Sequence, residues 1–219
     1  AADGYTILTF TVGHAAVMAK GQGGMKIDEL RPIARGTDDP QILMTKCGSY
    51  ASAEDFVAKQ KEAGITYGVT HLGNIDDVSA FMFAKKGGMK TPKMLPFDGG
   101  AELATQLVAG AVDAGVLNLV EASAQIEAGE ICPTVVLADA RMAAIGDVPT
   151  AKELGIPVSF STVRGFAVHA DTPPAIAEKI ESALLKAMNH TVYQGYLQSI
   201  GLDNTSVAGS DVWGPQIQT

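Results

Sequence analysis

Residues 65–118 read ITYGVTHLGNIDDVSAFMFAKKGGMKTPKMLPFDGGAELATQLVAGAVDAGVLN. Three short apolar runs, 65–70, 94–97 and 112–117, alternate here with two stretches of helical character. Asn74-Ile75-Asp76-Asp77 opens a helix predicted to reach about Lys85, and 101–109 forms the next. Strands alternating with helices of about ten residues predict parallel pairing through right-handed crossovers. The runs are apolar on both faces, as a sheet covered by helices on both sides requires. The fold class is α/β.

The alternation continues outward. Upstream, Ser52-Ala53-Glu54-Asp55 is a capping box opening a helix to about Glu62, with Gly64 in the stop position. Strands are predicted at 5–10, 30–35 and 41–46, with a plain glycine-rich loop at Gly21-Gln22-Gly23-Gly24. Downstream come a helix at 122–128, a strand at 132–138, a loop to Val148 and a short helix at 150–154. A strand at 160–168 precedes the longest helix, 173–188, with Ile176, Ile180, Leu184 and Met188 at fourfold spacing. A last helix covers 192–200. The chain opens on turn chemistry with nothing before it and stops at 215–219 with no closing element, so both ends are expected to be cut.

The 219 residues suit one large domain or two modest ones at roughly 150 residues per domain. With 24 acidic against 16 basic side chains the net charge is −8, and no basic run exists to grip nucleic acid. The longest apolar stretch, 107–119, is cut by Gly and Asp and is far too short for a membrane span. Cys47 and Cys132 lie 85 positions apart in different structural units and are not expected to be bridged.

Enzyme motifs are missing. There is no Gly-x-Ser-x-Gly elbow, no phosphate loop ending in Lys-Ser/Thr and no Gly-x-Gly-x-x-Gly. His14, His71, His169 and His190 show no metal-ligand spacing with one another or with the cysteines. Asp38-Asp39, before Pro40, reads as a solvated turn. Asp76-Asp77 lies in a first helical turn, where acids favour the helix dipole. No catalyst, cofactor or metal is implied.

The informative loop is Tyr67-Gly68-Val69-Thr70-His71-Leu72-Gly73-Asn74, which leaves a strand and enters a helix. Ligands of parallel α/β sheets bind outside the carboxyl ends of strands, and helix N-termini suit anionic groups. Two readings fit. Backbone amides, helped by Thr70 and His71, capture a carboxylate; or Asn74 and Asp77 merely cap the helix. Pro96-Phe97-Asp98-Gly99-Gly100 and Leu117-Asn118 share that edge.

Several segments resemble one family. Ala2-Asp3-Gly4-Tyr5-Thr6-Ile7-Leu8 resembles the Asp-Gly-Tyr-Thr signature of the solute-binding proteins of tripartite tricarboxylate transporters, the Bug receptor family. The strand–loop–helix 65–83 is similar to its Tyr-Gly-Ser-Ser-Gly-x-Gly ligand loop, and Pro96–Ala101 to its Pro-Tyr-Lys-Gly-x-x segment. Ile126-Glu127-Ala128-Gly129-Glu130 resembles its Ile-x-Ala-Gly-Lys turn. Asp147-Val148-Pro149-Thr150 with Glu153-Leu154-Gly155 resembles its Asp-Val-Pro-Thr…Glu-x-Gly. Arg164-Gly165-Phe166…Thr172-Pro173 is similar to its return strand and following helix. The segments fall in the family's order along nearly the whole chain.

The resemblance implies a two-lobed, type II-like periplasmic-binding-protein fold with parallel or mixed sheets and a central ligand cleft. One lobe would be 1–46 plus 166–219, lacking its first stretch, and the other 47–165, joined near 46–48 and 161–165. It implies an extracytoplasmic, periplasmic, monomeric receptor that captures a small organic acid by lobe closure and delivers it to membrane permease subunits, with no enzymatic role. Ligand contacts are expected from Thr70, His71, Gly73, Asn74, Phe97, Asp98 and Asn118. Thr11, Gly13 and His14, at an earlier strand exit, complete the set, and Arg164 is expected to form a hinge or inter-lobe ion pair. This chain departs from the family in carrying Val69-Thr70-His71 for Ser-Ser-Gly and Asp77 where a histidine is frequent. Those changes imply an acid that also presents a hydrogen-bond donor. The alternatives are an α/β enzyme acting on a carboxylate through His71 with Asp77 or Asp98, and a ligand-sensing domain.

Overall fold

A computed structural model describes residues 2–21 and 24–218; Gln22 and Gly23 of the glycine-rich loop lie outside the described residues. The elements in chain order are β1 (Leu8–Thr11), α1 (Val12–Ala19), β2 (Leu30–Pro40), β3 (Ile42–Lys46), α2 (Ala53–Glu62) and β4 (Thr66–Val69). Next come α3 (Ile75–Lys86), β5 (Lys93–Pro96), α4 (Gly100–Ala109), β6 (Ala114–Leu117), α5 (Ser123–Glu127) and β7 (Ile131–Val136). The chain ends with β8 (Ser161–His169), α6 (Pro174–Met188), α7 (Thr191–Ser199), β9 (Ala208–Gly209) and α8 (Ser210–Gln218). It forms two compact units, Ala1–Asp39 with Thr162–Thr219, and Pro40–Ser161.

The central unit, Pro40–Ser161, holds a five-stranded sheet of order β5-β4-β6-β3-β7. β4 pairs in parallel with both β5 and β6, as the βαβ spacing predicts. β3 does not follow the pattern: it runs antiparallel to β6 and to β7. It is joined directly to neither neighbour, so no crossover helix dictates its direction. Phe56 from α2, Tyr67 from β4 and Phe83 from α3 are fully buried and pack ring against ring. Tyr67 donates to Gln60 Oε1 at 2.9 Å, which satisfies a phenol that burial holds well above its ordinary pKa. Gly68 lets α4 lie close on β4, because a Cβ there would come within 2.0 Å of Leu103 Cδ1.

Cys47 and Cys132 form a disulfide, contrary to the sequence expectation, with Cα atoms 5.0 Å apart. Both belong to the central unit, where β7 returns to pair with β3 and Thr45 faces Cys132. Their distance along the chain conceals that long-range pairing. On chain-entropy grounds, closing a loop of this size disfavours the unfolded state by about 4.5 kcal/mol. The segment 150–154 is a set of hydrogen-bonded turns and not a helix. Thr150 N donates to Glu153 Oε2 at 2.8 Å, and Glu153 N donates to Thr150 Oγ1 at 3.2 Å.

The unit made from both chain ends holds a four-stranded sheet of order β1-β8-β2-β9. Two helices appear where the sequence suggests none. α1 starts directly at the exit of β1, and α8 occupies the segment read as lacking a closing element. α8 buries Trp213 completely against Phe10 and Ala167, and the indole N–H donates to Phe166 O at 3.2 Å. Gly165 makes room for it, since a Cβ there would sit 2.8 Å from the indole. Asp38 and Asp39 are on β2 and not in a solvated turn. Asp38 meets Arg35 at 2.7 Å, and buried Asp39 meets Arg164 at 3.5 Å. The buried Arg35 also donates to the carbonyls of Ser206 and Thr205 and to Gln216 Oε1, tying β2 to the chain's last elements. Among the described residues no helix is long and apolar enough to cross a membrane.

Candidate functional site

Because β5, β4 and β6 are parallel neighbours, their carboxyl ends share one edge of the central unit. Thr70, His71, Gly73 and Asn74 follow β4 there, Phe97 and Asp98 follow β5, and Asn118 follows β6. Phe97 N donates to Val69 O at 2.9 Å, which fastens the second loop to the first. Asn118 is buried and anchored through Nδ2 to Pro40 O at 3.1 Å, whereas His71 and Asp98 are exposed.

Thr11, Gly13 and His14 belong to the other unit, at the first turn of α1. His14 N donates to Thr11 Oγ1 at 3.4 Å, and Thr11 N donates to His14 Nδ1 at 3.2 Å. They form a reciprocal helix cap, a local role that explains the pair without a ligand.

The loop amides that the capture reading assigns to a ligand carboxylate are engaged by the chain's own acids. Gly73 N and Asn74 N donate to the two oxygens of Asp77 at 2.8 and 2.9 Å. Thr70 N donates to Asp76 Oδ2 at 3.0 Å, and the Thr70 hydroxyl makes a short bond to the same oxygen. Asp98 N donates to Glu102 Oε2 at 2.9 Å, and Asn118 N to Glu121 Oε2 at 2.8 Å. Each helix N-terminus on this edge thus carries a built-in anion. Gly100 keeps the third loop and its brace in register, because a Cβ there would lie 2.5 Å from Glu121 Oε1.

Asp76 is buried, and burial raises its carboxyl above the ordinary value; the bonds from Thr70 and nearby His71 oppose that rise, and Asp77 adds to it. Glu102 and Glu121 are functional braces that the sequence reading passed over. The spacings Asn118-x-x-Glu121 and Asp98-x-x-x-Glu102 carry the signal, an acid one helical turn after a loop amide.

Chemically, the edge is a row of acceptors with one exposed imidazole, His71. Asp77 uses both oxygens to hold its loop, so it acts as a brace there. Binding of a molecule that offers donors to these carboxylates is what the arrangement can do.

Known proteins share this architecture. A TctC solute-binding protein from Polaromonas, solved with no ligand, is 24% identical with a TM-score of 0.88, covering 100% of this chain and 75% of that one. MatC from Rhodopseudomonas palustris, solved with bound malate, is 23% identical with a TM-score of 0.77, covering 100% of this chain and 77% of that one. A UPF0065 protein of Bordetella pertussis is 28% identical over 220 residues, 96% of this chain and 67% of its own length. The chain spans 59% to 67% of the length of the curated relatives it matches. The profile of the tripartite tricarboxylate transporter family receptor, TctC, matches residues 1–213, and the chain belongs to that family.

Proposed function

We propose that this chain is the ligand-holding part of an extracytoplasmic receptor that captures a small organic acid and delivers it, unaltered, to membrane permease subunits of a tripartite tricarboxylate-type transporter. The match to the receptor family across residues 1–213 carries the reading. The malate held by MatC supports the ligand class. The Cys47–Cys132 disulfide supports an oxidising compartment such as the periplasm.

The acid-braced edge narrows the class. A bare carboxylate turned toward Asp76, Asp77, Glu102 and Glu121 meets like charge, whereas a hydroxyl, amide or ammonium finds acceptors. The ligand is therefore an acid carrying a donor, with the donor facing this edge and the acid end held elsewhere or by His71. Calorimetric titration with matched pairs of acids, with and without a hydroxyl or amino substituent, tests this. The substituted member binds about tenfold tighter, the worth of one hydrogen bond to a charged group. Equal affinities remove the donor from the account, and no binding by any acid removes the receptor reading.

A further inference from the structure

The central unit contains a cavity of about 430 Å³, separate from the three loops, walled by Thr45, Gly48, Tyr50, Cys132, Thr134 and the start of α2. One wall is the amino half of β7, and the disulfide lies in it. β7 is the edge strand of its sheet, so among the described residues β3 is its one strand neighbour, apart from a single bridge between Val136 and Thr150. The two halves of β7 are held very differently.

The carboxyl half is secured many times over. Val135 and Val136 are fully buried, as is Leu137 beyond them. Val136 N donates to Pro149 O at 3.0 Å, Leu137 N to Gln41 O at 2.8 Å, and Ala151 N to Val136 O at 2.9 Å. Between the halves the register shifts, so that Leu43 faces Val135 and Met44 faces Pro133. Thr134 is the extra residue of that irregularity, and Pro133 has no N–H to give to the ladder. The amino half keeps its pairing with β3 at Thr45–Cys132 and Lys46–Ile131, buried Ile131, the Thr45–Thr134 hydroxyl pair at 2.9 Å and the bond from Cys47 N to Glu130 O at 3.0 Å. Its one covalent fastening is the bridge, whose Cys132 is exposed.

We propose that the disulfide is a redox-sensitive latch on this cavity wall: its reduction frees the amino half of β7 from β3 as far as Thr134, while the rest of the unit stays folded. The step consumes a dithiol reductant. One thiolate attacks the Sγ of Cys132, the more exposed residue of the pair, to give a mixed disulfide and the Cys47 thiolate. The second thiol of the reductant then closes on the first, releasing Cys132. Two electrons and two protons pass to the chain, leaving two thiols and one oxidised dithiol.

Hydrogen exchange of the purified protein with and without dithiothreitol tests the latch, with alkylation counting the thiols. Two alkylated cysteines are expected, with exchange at Cys47, Ile131, Cys132 and Thr134 rising about tenfold or more beyond any rise at Tyr67 and Val116. A double Cys47→Ser, Cys132→Ser variant shows the same pattern without reductant. A bridge that resists the dithiol in the folded protein overturns the proposal. So does a variant whose β7 amides keep their protection, or one in which protection falls equally everywhere, which would make the bridge a staple of the whole unit.

Discussion

Asp76 illustrates what a single residue does at this edge. It is buried, it accepts from both the amide and the hydroxyl of Thr70, and burial lifts its carboxyl above the ordinary 3.8. The folded chain therefore holds this proton to a higher pH than the unfolded chain. Its contribution to stability is present below the ordinary carboxyl value and is lost as pH rises through the raised folded one. Asp76→Asn keeps an acceptor for Thr70 and removes the charge, so the variant gains on the wild type as pH rises above about 4 and then holds a constant lead. Thermal melts of both proteins across that range check this, and a difference that ignores pH contradicts it. His71 carries a second prediction: as the exposed imidazole of this edge it helps hold the acid, so His71→Ala weakens binding of a hydroxy acid by about tenfold in calorimetric titration, and an unchanged affinity removes it from the account. The placement of Thr70, His71 and Asn74 was legible in the sequence because a strand–loop–helix junction locates its own residues. That the amides of Thr70, Gly73 and Asn74 are already occupied was not legible, because it depends on which way each acidic side chain turns.

At the scale of elements, glycines decide how closely helices approach the sheet. Gly68→Ala drives a methyl into Leu103 and pushes α4 off β4, a cost of about 1–3 kcal/mol for an overpacked core. The shift in denaturant midpoint measures it, and an unchanged midpoint would mean that Leu103 turns aside freely. Helices marked by a capped N-terminus, α2 and α3, or by apolar spacing, α4 and α6, were legible in the amino-acid pattern alone. α1 was not, since Val12-Gly13-His14 has no marked apolar stripe, and α8 was masked by Pro215 and by its position at the chain's end. The antiparallel course of β3, and with it the Cys47–Cys132 bridge, was hidden because pairing across 85 residues leaves no trace in local pattern.

At the scale of the molecule, the order of weak motifs along the chain disclosed the family better than any one of them. Composition is less informative: it offers no basic run, and among the described residues no helix is long and apolar enough to cross a membrane. The net charge of −8 opposes the approach of an acid at long range, so the capture proposed above depends on short-range contacts in the site. Weak long-range repulsion predicts that raising salt accelerates association of a dicarboxylate; stopped-flow rates at low and moderate ionic strength read the slope, and a slowing with salt would place attractive charge at the entrance.

The receptor reading is tested most directly by native mass spectrometry of the protein purified without refolding. The account predicts a single non-covalent adduct with the mass of a small organic acid that carries a hydroxyl, amide or amino group, lost on collisional activation and regained when that acid is returned. A bare protein that takes up no acid from a panel of mono-, di- and tricarboxylates would contradict it.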